Sequence, residues 1–205
     1  GSNNGYGYGG GIFDNGSTIN LTSTVVAGNY WAAQKAAGLL KITWDKGPFA
    51  TLDSNGILAG QRSLMAEDEG ANVRNDGDWN DVEIAKSLEA EYQLPYLAHA
   101  TMEPQNCTAW AKEDGLEIWA PTQSPDMAQV AAAKATRYAL SDIKINTTFI
   151  GGGFGRRINQ DFVAEAAAIS EISKQPIKLI WSREEDTRRD WYRPSSYHKL
   201  SASID

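Results

Sequence analysis

The sequence holds a single cysteine, Cys107, and only two histidines, His99 and His198, in 205 residues. One thiol excludes an intramolecular disulfide, a zinc site built on several thiolates and a cysteine-ligated iron–sulfur cluster. The histidines are far apart and lack metal-ligand spacing, so a metal would have to arrive inside an organic cofactor or on another chain. Basic charge is also short. With 19 Lys and Arg against 26 Asp and Glu, the formal net charge is -7. Gripping phosphate backbones needs a basic face, so nucleic acid is excluded as the principal partner. No apolar run approaches the length of a membrane span, and no leader opens the chain. Gly1-Ser2 reads as a cloning remnant, so the missing leader leaves location open.

What is present suffices for one or two domains with a real core. Residues 1–20 are dominated by Gly and Asn and read as a flexible tail. Thr24-Val25-Val26 is a short strand candidate. Asn29 is placed to cap a helix running to Leu40, with Trp31, Ala32, Lys35, Ala36, Leu39 and Leu40 at helical spacing. Lys41 to Trp44 alternates as a strand does, and Lys46-Gly47-Pro48 ends it. A short helix is expected around Ile57 to Glu67. Turn chemistry at Arg74-Asn75-Asp76-Gly77-Asp78 suggests a domain boundary near there.

The second half is more regular. Val82 to Gln93 alternates as a strand. Thr108 to Ala111 and Glu117 to Ala120 flank Asp114-Gly115, which predicts a β-hairpin. Ser124-Pro125 opens a helix expected to turn Met127, Val130, Ala131 and Ala135 inward and to stop near Leu140. Ile143 to Ile150 is a strand. A helix over Asp161 to Ser173 should carry Phe162, Ala166 and Ile169 on one face, and Gln175-Pro176 closes it. Strands follow at Ile177 to Trp181 and from His198 to Ile204. The alternation gives a mixed α/β fold.

Between strand and helix lies the run Gly151-Gly152-Gly153-Phe154-Gly155, then Arg156-Arg157. Exposed backbone N–H groups at such a junction can meet an anion or a cofactor oxygen. A Walker loop would need Gly-Lys-Ser/Thr, and the dinucleotide fingerprint would need glycine at position 156. Both fail on the residues present. A plain glycine-rich turn and a cofactor cradle both remain open.

Four segments taken together resemble one family. They are Leu94-Pro95-Tyr96-Leu97-Ala98-His99-Ala100-Thr101-Met102-Glu103-Pro104-Gln105-Asn106, Trp119-Ala120-Pro121-Thr122-Gln123, GGGFGRR at 151–157 and WSREEDTRRDWYRP at 181–194. In order and spacing they are similar to the molybdopterin-binding subunit of the xanthine dehydrogenase and aldehyde oxidase superfamily. The nearest branch is the isoquinoline 1-oxidoreductase β subunit with the membrane-bound aldehyde dehydrogenases. YWAAQKAAGLLKITWDKGP at 30–48 resembles the end of that family's hammerhead domain.

The resemblance implies a partial hammerhead-like module and linker over 21–80, then the N-terminal part of a molybdopterin-binding domain over 81–205. It implies that Gln123 hydrogen-bonds an oxygen ligand of molybdenum and that the Phe154 and Gly155 amides contact the metal centre. Gly151, Gly152 and Gly153 would let the backbone come close. Arg156 and Arg157 would face pterin phosphate, or else form surface salt bridges with Asp161 or Glu165. Where xanthine dehydrogenases carry a substrate-contacting glutamate, Ile158 stands here, which favours the isoquinoline branch over purine substrates.

The same resemblance places the general-base glutamate far toward the C-terminus of a full subunit, beyond Asp205. The chain is therefore expected to be an inactive fragment of an oxidoreductase acting on N-heterocycles or aldehydes with oxygen from water. Its cofactor would be molybdopterin in the cytosine dinucleotide form, retained by the parent rather than the fragment. Its partners would be a small 2Fe–2S subunit and a cytochrome c. A bacterial periplasmic or membrane-associated setting is expected, with the cytoplasm as the alternative. A non-catalytic folded module, or an anion-binding module working through Arg156 and Arg157, is the competing reading. Glu103 and His99 are read as structural hydrogen-bonding residues.

Overall fold

The computed structural model describes residues 28–204 except 42, 44–46, 69, 79, 80 and 82. The expected tail at 1–20 and strand at Thr24-Val25-Val26 lie outside the described residues, as do Ile42 and Trp44 of the strand expected at 41–44. In chain order the elements are α1 (Tyr30–Ala37), α2 (Ser54–Glu67), β1 (Lys86–Leu94), β2 (Asn106–Ala111), β3 (Leu116–Ala120), α3 (Pro125–Ala135), β4 (Ile143–Thr147), α4 (Asp161–Ser173), β5 (Ile177–Ile180), α5 (Arg183–Arg188) and β6 (Ser196–Ile204). The described residues fall into two compact units, those within Gly1–Gly47 with Ala98–Tyr192, and those within Pro48–Leu97 with Arg193–Asp205.

The first unit is built on a four-stranded sheet of order β4-β3-β2-β5. β2 and β3 form the expected hairpin, with Thr108 opposite Trp119 and Ala111 opposite Leu116. Its turn closes where Lys112 N–H donates to the Gly115 carbonyl at 2.8 Å. β3 pairs parallel with β4, and α3 makes the crossover between them. Alternation along β3 buries Leu116, Ile118 and Ala120 on one face. Against that face lie Phe162, Val163, Ala166 and Ala167 of α4 and Ala128 and Ala132 of α3. Small alanines let helix and sheet approach closely, and Phe162 fills the space they leave.

Three expectations about helices change in detail. α1 starts as expected, with the Asn29 side chain accepting from the Ala32 amide at 3.0 Å, but ends at Ala37 and buries no residue. α2 is longer than expected because Asp53 caps it through Gly56 N–H at 2.7 Å. α3 has proline at its first turn, yet it is rotated: Ala128 and Ala132 are buried, whereas Met127 is half exposed. It stops at Ala135, where Thr136 takes an extended conformation. The strand expected to reach Ile150 ends at Thr147, and α4 keeps the bounds expected for it.

In the second unit, β1 and β6 form an antiparallel ribbon from Lys86–Ile204 to Leu94–Ser196. Leu97 and Arg193 extend it with a reciprocal pair of backbone hydrogen bonds at 3.3 and 2.9 Å. The Gln61 side chain of α2 donates to the Ser195 hydroxyl at 2.9 Å. Because this ribbon joins residues about 110 positions apart, the compact units divide the chain differently from a single cut near residue 80.

Candidate cofactor site

The glycine run leaves β4 and doubles back over the β3–α3 junction. Gly152 and Gly155 have φ of 94° and 95°, a region that side chains rarely adopt. Phe154 adopts it too, at φ 52°, and the residue is 66% exposed. A non-glycine residue held there stores strain of about 1–3 kcal/mol, as residues at ligand clamps do. Gly153 has no room for a side chain: a Cβ there would lie 2.5 Å from the Gln123 carboxamide.

The carbonyls of this loop are pinned one after another. Gly151 O accepts from Glu103 N–H at 3.2 Å, Gly152 O from Arg157 Nε at 2.9 Å, and Gly153 O from Arg156 N–H at 2.8 Å. A trans peptide points its N–H opposite its carbonyl. The N–H groups of Gly152, Gly153 and Phe154 are therefore turned away from those partners, and among the described residues none of the three has an acceptor. Three successive free donors form a concavity suited to an oxygen-rich ligand.

Gln123 completes the edge of this surface. Its Oε1 accepts from Gly155 N–H at 3.0 Å and from Arg157 N–H at 3.3 Å. That fixes the carboxamide so that Nε2 is left as a donor without a partner among the described residues. The expectation for Gly155 changes accordingly: its amide is occupied by Gln123, and the free donor beside it is Phe154.

The arginines do not face outward. Arg156 and Arg157 are 1% and 0% exposed. Arg156 meets the Asp161 carboxylate with two parallel bonds at 3.1 and 2.9 Å. Its Nε lies 3.1 Å from Asp190, as an ion pair whose angle is too poor for a hydrogen bond. Arg157 spends its guanidinium on Gly152 O, Pro121 O, Glu103 O and the Glu103 carboxylate, at 2.6 to 3.1 Å. A pterin phosphate cannot reach either group, and an anion module working through them has nothing to offer. The salt bridge to Asp161 does form, but it is buried rather than on the surface; Glu165 pairs with Arg189 instead. A guanidinium placed in the interior must be fully paired, and here it is used as a internal brace.

The carboxylate of Glu103 takes Gly151 N–H at 2.9 Å and the Asn106 amide at 3.0 Å, the backbone-holding role expected of it. His99 Nδ1 lies 3.1 Å from Asp190 and the imidazole is nearly buried, again as expected. Asp190 was not singled out from sequence, although it gathers His99 and Arg156 under the loop. Cys107 is buried in the core, and that burial pushes its thiol pKa up, so no thiolate forms at neutral pH. Ile158 is half exposed and, with Met127, Val130, Ala131 and Trp191, lines a groove of about 110 Å³.

Residues 65–205 match the family described as the molybdopterin cofactor-binding domain. The chain belongs to this family. Among curated relatives, it is 29% identical over 185 residues to a membrane-bound aldehyde dehydrogenase (pyrroloquinoline-quinone) of Gluconacetobacter polyoxogenes, covering 88% of this chain and 24% of that protein. It is 29% identical over 194 residues to the isoquinoline 1-oxidoreductase subunit beta of Brevundimonas diminuta, with the same coverage. A xanthine dehydrogenase molybdenum-binding subunit of Escherichia coli O157:H7 is 28% identical over 177 residues, 78% of this chain and 22% of that protein. The chain thus spans about a quarter of the length of these relatives. The aldehyde oxidoreductase of Desulfovibrio gigas shares the fold, with a TM-score of 0.51 over 58% of this chain and 13% of that one, at 14% identity.

The residues fit the cofactor that the family name implies. Gly152, Gly153 and Phe154 offer backbone donors, Gln123 offers a side-chain donor, and Gly153 lets Gln123 lie flat against the loop.

Proposed function

We propose that this chain is part of the catalytic, molybdenum-bearing subunit of a hydroxylase that oxidises N-heterocycles or aldehydes, with water as the source of oxygen. The observation that carries this reading is the row of free N–H groups at Gly152, Gly153 and Phe154 beside the Gln123 carboxamide. The molybdopterin, in its cytosine dinucleotide form, would supply the two-electron redox chemistry. The chain's own part is to hold oxygen atoms of that group by pre-oriented donors, which need no reorganisation when charge builds up. Gln123 Nε2 is the donor assigned to an oxygen ligand.

Isoleucine in place of a carboxylate at position 158 supports an N-heterocycle or aldehyde substrate over a purine. Electrons would leave through a small 2Fe–2S subunit and a cytochrome c, and the one buried thiol of this chain adds no cluster of its own. A bacterial setting at the membrane or in the periplasm, with the cytoplasm as the alternative, belongs to the same proposal; one relative is named as membrane-bound. At family level, a division near residue 80 between a hammerhead-like module and the cofactor domain belongs to the same proposal.

The test is Gln123→Ala in the full-length subunit. Removing one pre-oriented donor should lower kcat about 100-fold with molybdenum still bound. Wild-type kcat together with an unaltered metal spectrum would refute the assignment.

A further inference from the structure

Glu103 and Arg157 are 54 positions apart and meet only beneath the glycine loop. Arg157 is a fully buried cation, and the Glu103 carboxylate 2.9 Å away is the countercharge nearest to it. The same carboxylate oxygen that faces Arg157 also receives Gly151 N–H at 2.9 Å. The pair is knitted to the loop at two further points and to the Gln123 segment at one. Glu103 N–H holds the Gly151 carbonyl, Arg157 Nε holds the Gly152 carbonyl, and Arg157 Nη1 holds the Pro121 carbonyl at 3.1 Å, two residues before Gln123. Because each peptide unit is planar, fixing the Gly151 and Gly152 carbonyls also fixes where the Gly152 and Gly153 N–H groups point. Fixing Pro121 holds the start of the segment that carries Gln123. A Cβ at Gly151 would fall 2.4 Å from the Cβ of Glu103, so the contact tolerates only glycine.

We infer that Glu103 and Arg157 are a positioning pair, setting the direction of the Gly152 and Gly153 amides and of Gln123 toward the bound cofactor without touching the reacting atoms. This rests on the cofactor-binding reading above. A planar fork is needed to reach three carbonyls and a carboxylate at once, so lysine cannot replace Arg157 even with its charge retained. Misplacement of donors by about an ångström costs on the order of 100-fold in rate.

The test uses two variants of the full-length, cofactor-loaded subunit, E103Q and R157K. The readouts are bound molybdenum, the paramagnetic resonance signal of the reduced metal, and kcat and KM per bound metal. Both variants should shift the resonance signal and lower kcat per metal by about 10- to 100-fold, with KM within about threefold. Loss of the metal while the unfolding temperature stays within a few degrees of wild type would also support the pair. A lowered unfolding temperature with unchanged signal and unchanged kcat per metal would overturn it, since a merely structural brace would give that result. Wild-type protein purified without molybdenum or pterin would overturn the cofactor reading itself, and the pair with it; a wild type that binds the metal normally restricts any failure to the pair.

Discussion

Gly151 and Gly153 refuse a side chain for different reasons, and the difference can be measured. At Gly153 the obstacle is the end of the flexible Gln123 side chain, which can swing aside. Gly153→Ala should therefore change stability by less than about 1 kcal/mol while displacing Gln123, and it should lower kcat much as Gln123→Ala does. At Gly151 the obstacle is the Cβ of Glu103, which cannot move without the backbone. Gly151→Ala should cost about 1–3 kcal/mol, the range for overpacking a close contact. Urea unfolding of both variants separates the cases, and equal losses would contradict the geometry. Much of this was legible in the sequence: the glycine run announced a close approach, and the resemblance picked out Gln123. The arginines were not. Whether a guanidinium faces solvent or the interior depends on Asp161, Asp190 and Glu103, and two of those three are far away in sequence. Nothing local distinguishes a phosphate-binding arginine from a buried brace.

At the scale of elements, β3 and β4 are tied at the surface by Glu117. Its carboxylate accepts from Lys144 at 2.9 Å, from Lys112 at 3.0 Å and from Asn146 at 3.2 Å. These bonds, Lys144 first, hold its pKa at about 2 against an ordinary 4.5. A lowered carboxylate pKa adds stability above the unfolded value and loses it as pH falls toward the folded one. The stability gap between wild type and Glu117→Gln should therefore be open above pH 4.5 and close between about 4.5 and 2. Salt should narrow it, because Glu117 is only part-buried and Lys144 is exposed. A gap that does not vary with pH would contradict the ion-pair account. The β2–β3 hairpin was readable from its Asp-Gly turn and alternation, and α4 from its periodicity and closing proline. The face of α3 was not. Met127, Val130 and Ala131 are as apolar as Ala128 and Ala132, and a helix so rich in alanine leaves its orientation to whatever the sheet can accept.

At the scale of the whole molecule, the sheet and its two helices form one core that supports the loop from below. Phe162 is fully buried between α4 and the sheet. Phe162→Ala should cost about 3–5 kcal/mol, read as a fall in the urea midpoint. A loss under about 1 kcal/mol would mean that the core is not packed as described. The ribbon of β1 and β6 was half legible, because each strand alternates but their pairing joins distant segments that no local pattern connects. The central claim is that this chain's glycine loop and Gln123 hold a molybdenum cofactor. The most direct measurement is the molybdenum and pterin content of the full-length subunit, purified from cells able to make the cofactor, beside the Gly153→Ala variant. The account expects both components at stoichiometric level in the wild type and a perturbed metal spectrum or lost metal in the variant. Wild-type protein free of molybdenum and pterin, or a variant with the wild-type spectrum, would contradict it.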